Sequence, residues 1–166
     1  MAVDDRTTIW DGFFTAQVGA SAALAGLIFV GLSINMARIL ALPRVAERAL
    51  QTIVILLAVL VVSSLLLVPG QSTWEVGLEI LVIGSSVWVF STLLDVGNLR
   101  QMTKEVRKYW VQNAVLGQAA VLPYIIGGAT MLTVGVVGIY VLVLAVLFSF
   151  LKAIIDAWVL LVEINR

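Results

Sequence analysis

The chain has 166 residues, 61% hydrophobic and only 12% charged, against roughly 45–50% apolar and about 25% charged in soluble domains, so water is not its main solvent. Ten basic and ten acidic residues cancel, and no excess charge points to nucleic acid or to an acidic substrate. Cysteine and histidine are absent, which excludes disulfides, thiolate nucleophiles, histidine-bound zinc or haem and the commonest general base, and leaves the redox compartment without a marker.

At the N-terminus Asp4, Asp5 and Asp11 face a single Arg6. A secretory signal has a basic start instead, so the first apolar segment reads as a retained span. Crossing a hydrocarbon core of about 30 Å takes roughly 20 apolar residues in a helix, which satisfies its own backbone groups. Residues 13–34, 49–68 and 76–96 meet that requirement, separated first by Arg38, Arg44 and Arg48 and then by Pro69-Gly70-Gln71-Ser72. Pro43 suits the first turn of the second helix, where its missing N–H costs nothing. Residues 111–164 are almost continuously apolar, and as one helix they would reach about 80 Å at ~1.5 Å per residue. The run must fold back once, and Thr133-Val134-Gly135-Val136-Val137-Gly138 is the best turn because glycine permits positive φ. This gives spans at 111–132 and 138–163. The expected fold is one all-α domain over residues 1–166, an integral membrane bundle of about five transmembrane helices.

Basic residues in the short loops orient such a bundle. Arg38, Arg44 and Arg48 follow the first span, Arg100, Lys104, Arg107 and Lys108 follow the third, and Arg166 closes the chain. The opposite loops carry none. An N-out, C-in arrangement therefore puts eight of the ten basic residues in the cytoplasm. Trp10, Trp74 and Tyr140 then fall near the outer boundary, and Tyr109, Trp110 and Trp158 near the inner one, as amphipathic aromatics prefer. Trp88 is mid-span and is expected to face protein or a cofactor.

Candidate functional residues are the polar ones inside the spans. At 100° per residue, Ala145, Ser149, Lys152, Asp156 and Glu163 fall within an arc of about 60° on the fifth span, a polar stripe on an apolar helix. Lys152 and Asp156 are four apart and therefore neighbours. A charge at that depth needs a partner or a water-filled cavity, so the pair is either a structural lock or part of an ion, proton or ligand path. Asp95 shares a face with Gly84, Trp88 and Ser91. It is expected to snorkel to the headgroups or pair with Arg100, against a possible convergence of Asp95, Asn35, Asn98, Asn113 and Asp156. On the first span Gly19, Ala22, Ala23 and Gly26, with Ser33, form a small-residue strip suited to close helix contact, and Gln17 and Ser21 are placed to bond across it. Pro123 is expected to kink the fourth span, with Gly127 and Gly128 just beyond. No cofactor or metal is expected.

The segments WDGFF at 10–14, GASAALAGLIFVGLSIN at 19–35 and DAWVLLVEI at 156–164 resemble small bacterial multipass inner-membrane proteins of unassigned function. That resemblance implies a bacterial inner-membrane location and assigns no activity. With no extramembrane segment large enough for a soluble domain, the expected role is non-enzymatic. The protein would act through helix packing, with the lipid bilayer, further copies of itself or a larger transporter-type complex as partners. The alternative is a small oligomeric ion or proton channel using Lys152, Asp156 and Asp95. An intramembrane enzyme ranks third, since no nucleophile constellation accompanies the carboxylates.

Overall fold

The computed structural model describes residues 9–41, 43–100 and 104–164; Arg6 and Arg166, which entered the charge asymmetry, lie outside them. All regular structure among the described residues is helical: α1 (Asp11–Ile34), α2 (Met36–Ala41), α3 (Pro43–Leu65), α4 (Thr73–Arg100), α5 (Lys104–Thr133) and α6 (Gly138–Ile164). Five of these contain stretches long and apolar enough to cross a membrane: Asp11–Ile34, Val45–Leu65, Thr73–Asn98, Trp110–Thr133 and Gly138–Leu160. The short α2 links the first two.

Local chemistry sets the helix ends. Pro43 opens α3, so that helix begins six residues before the apolar run and draws Arg48 inside it. Ser72 and Glu75 form a capping box ahead of α4: the Glu75 carboxylate accepts from the Ser72 N–H at 2.8 Å, and the Ser72 hydroxyl accepts from the Glu75 N–H at 3.3 Å. Two otherwise orphaned donors are thereby satisfied. The turn between α5 and α6 rests on Gly135, whose φ of 84° lies in the left-handed region, where a side chain would strain the backbone. α5 continues as helix through Pro123.

Packing divides the helices into a ring and an addition. α4 packs along α5, α5 along α6, α6 against α3 and α3 against α4, closing a four-helix ring; α1 lies outside it, mainly on α3. α1 turns Phe14, Ser21 and Ile28 inward, at the seven-residue spacing of a single helical face. At the end where α1 begins, the core is apolar: Phe14, Val62, Val76, Ile80, Tyr124, Met131, Ile139, Leu142 and Ala145. Trp10 sits edge-on to Tyr140 there, with ring centroids 5.2 Å apart.

The close approach of α4 to α5 depends on glycine. A Cβ on Gly128 would come within 2.8 Å of the Leu81 backbone nitrogen, and one on Gly84 within 2.9 Å of the Tyr124 Cβ. The small strip on α1 behaves differently. Gly19, Ala22, Ala23 and Gly26 are exposed, and nothing lies within 4 Å of a Cβ built at Gly19 or Gly26. Ser21 donates back to its own helix, to the Gln17 carbonyl at 2.7 Å, rather than bonding across a contact.

Gly128→Ala should therefore force α5 off α4 and destabilise the purified protein by about 1–3 kcal/mol, the usual cost of overpacking, whereas Gly26→Ala, with open space around it, should be neutral or stabilising by up to about 1 kcal/mol. Thermal unfolding in detergent compares the two, and equal tolerance would contradict this account of the α4–α5 contact.

Candidate functional site

The other end of the ring is polar. Each ring helix contributes to it: Arg48, Gln51 and Thr52 from α3, Asp95 from α4, Asn113 from α5, and Lys152 and Asp156 from α6. On α3 the three residues have i, i+3 and i+4 spacing and so share a face. Asn113 and Gly117 share one on α5 in the same way.

Asp156 is the hub, and its side chain is fully buried. Arg48 donates to Oδ1 from Nε at 2.9 Å and from Nη2 at 2.8 Å. Lys152 Nζ bonds Oδ2, and the Thr52 hydroxyl lies 3.2 Å from that oxygen and 2.9 Å from the Arg48 carbonyl. Lys152 is as buried as its partner and donates a second bond to Asn113 Oδ1 at 3.1 Å. These contacts tie α3, α5 and α6 together.

Asp95 supplies the fourth charge. It is 4% exposed and faces the bundle interior rather than snorkelling outward; the side chain of Arg100, its other expected partner, lies outside the described ones. Gln51 Nε2 donates to its Oδ1 at 3.4 Å, while Oδ2 has no hydrogen-bond partner among the described residues, and neither does Asn113 Nδ2. Arg48, Lys152, Asp95 and Asp156 sum to zero charge. Lys152, Asp95 and Asp156 are buried and Arg48 is partly so, and charges held this deep require matching partners.

The remaining polar residues in the spans are placed elsewhere. Asn98 donates to Glu47 Oε2 at 2.6 Å and Asn35 to the Gly31 carbonyl at 3.1 Å, so neither joins Asp95. Ser149, on the stripe of α6, is 3.1 Å from the Tyr124 hydroxyl and marks the boundary between the apolar and charged layers. Trp88 donates to Gln118 Oε1 at 2.6 Å. Glu163 lies on α6, with its side chain outside the described ones. Sequence reasoning missed Arg48, Gln51 and Thr52; their shared face at the start of a span was the available signal.

On the far side of α3, apolar side chains close the site. Ile28, Leu56 and Ala153 form a buried cluster flanked by Leu24 and Ala25, so α1 helps to keep the charges desolvated. No protein-family model, no curated protein and no solved structure matches this chain.

Because Asp156 serves two cations, Asp156→Leu should be more damaging than Lys152→Met. The first leaves Arg48 and Lys152 both without their carboxylate, at a cost of about 3–5 kcal/mol; the second leaves the Arg48–Asp156 pair in place. Thermal unfolding of both variants ranks them, and the reverse order would show that Asp156 is not the hub.

Proposed function

We propose that this chain is a non-enzymatic multipass protein of the bacterial inner membrane, oriented N-out and C-in. It acts through helix packing, either with copies of itself or as an accessory subunit of a larger transport-type complex. One observation carries this reading: α1 leans on one neighbour and presents Gly19, Ala22, Ala23 and Gly26 away from the rest of the chain. Small residues on an outward face let a second helix come close enough for van der Waals contact and Cα–H···O bonds, the principal attractions left between helices in lipid. The charged cluster is, on this reading, the lock that keeps the ring rigid behind the presented helix.

The absence of native cysteine makes the test direct. Gly19→Cys and Gly26→Cys variants, treated with a short thiol crosslinker in native membranes, should yield a crosslinked dimer or a defined heteromeric adduct, while cysteines on the inward face, as in Ser21→Cys, should not. Failure of both outer positions to crosslink, with a monomer by native mass spectrometry, would overturn the packing role. Ser72→Cys should react with an impermeant reagent only from outside; reaction only from the cytoplasm would reverse the orientation.

A second reading, a small ion or proton channel, is favoured by the gathering of Asp95, Lys152 and Asp156 inside one ring of helices. Proton or cation flux in liposomes that is lost in Asp95→Asn would support it over the packing role.

A further inference from the structure

Gly117 sits on α5 one turn after Asn113, facing the charged cluster. A Cβ built there would lie 3.8 Å from Gln51 Nε2, 3.8 Å from Lys152 Cε and 3.9 Å from Asp95 Oδ2. All of these are ordinary contact distances, so a methyl-sized space opens between the three side chains. Asp95 Oδ2 has no hydrogen-bond partner among the described residues, and neither has Nδ2 of Asn113, one turn earlier on α5; the two residues are 4% and 7% exposed. Neither orphan is a surface group waiting for bulk solvent. Lys152 adds a third capacity, since an ammonium has three protons and two are directed at Asn113 Oδ1 and Asp156.

We propose that the space at Gly117 is a binding site for a single water molecule, which donates to Asp95 Oδ2 and accepts from Asn113 Nδ2 or from the third Lys152 proton. The chemistry selects a neutral occupant. The four surrounding charges already cancel, so a cation or an anion would add an uncompensated charge in a desolvated site. The donor and acceptor roles fit as well, because one vacant acceptor and two donors with unused protons belong to the same cluster, and a buried water normally bridges two to four such groups. The bound water then joins the Asp95 carboxylate to the Arg48–Asp156–Lys152 group, which otherwise carries one surplus positive charge. Four helices become linked through one network, whichever role the assembled protein has.

The proposal fixes the sign of a substitution. Filling a dry gap with a methyl group stabilises, and alanine is the better helix former by about 1 kcal/mol, so a dry site predicts that Gly117→Ala raises the unfolding midpoint at least as much as Gly97→Ala, a helical position with nothing within 4 Å. A water site predicts the opposite. Gly117→Ala would displace the water, leave Asp95 and Asn113 unsatisfied and lower the midpoint below wild type, whereas Gly117→Ser, whose hydroxyl can replace the water, would unfold at a higher temperature than Gly117→Ala despite serine's poorer helix propensity. Should neither variant yield folded protein, pulsed X-ray radiolysis of the wild-type protein in H2-18-O decides: incorporation of heavy oxygen within residues 113–117 is expected. Absence of that label, or an Ala variant more stable than wild type, overturns the water site.

Discussion

A carboxylate held between two cations inside a helix bundle imposes a constraint on everything around it. Asp156 has no route to solvent, so Arg48 and Lys152 must reach it, and the helices carrying them must stay in register. The surplus positive charge that results needs Asp95 on a third helix, and the second Lys152 proton needs Asn113 on a fourth. Rotating any ring helix by one residue, about 100°, would strand at least one charged or hydrogen-bonding group. Apolar packing alone is far less selective, because for helices apolar enough to cross a membrane a lipid solvent would favour the outside of each as much as the inside. The charged layer therefore specifies which faces meet, while the glycine-mediated contact of α4 with α5 specifies how closely.

The two ends of the ring divide the labour. At one end Phe14, Ile80, Tyr124 and Leu142 fill the interior with shape; at the other, seven polar side chains fill it with directed bonds. Tyr124 and Ser149 join the layers through a buried hydrogen bond. α1 belongs to neither arrangement. It contributes Phe14 to the apolar layer and Ile28 to the wall beside the charges, and leaves its small residues facing outward. A helix so lightly engaged with its own chain is the element best placed to engage another.

Much of this was legible in the sequence, and what was not has a physical cause. Five long apolar helices could be read because an apolar run of twenty residues has few other uses, and Gly135 marked the fold-back. Lys152 and Asp156 stood out because charge on an apolar helix is conspicuous and their spacing makes them neighbours. Arg48 was hidden: at the edge of an apolar run it looks like any basic residue obeying the loop rule, and only the helix start at Pro43 brings it inside. The partner of Asp95 was equally hidden, since helix rotation about its axis is decided by tertiary contacts. The glycines illustrate the same limit. Those of α1 look like Gly77, Gly84 and Gly128 as sequence, yet only the latter three lie against the backbone of a facing helix, and Gly117 has no sequence signature.

The central claim is that Arg48 and Asp156 act as one unit across α3 and α6. A double-mutant cycle with Arg48→Met, Asp156→Leu and the combined variant, read by equilibrium unfolding in detergent, measures that coupling directly. The account predicts a strong interaction, toward the upper end of the roughly 0.5–3 kcal/mol found for contacting residues, with the double variant more stable than the sum of the single losses implies. Additive losses would mean that the two side chains do not meet in the folded protein.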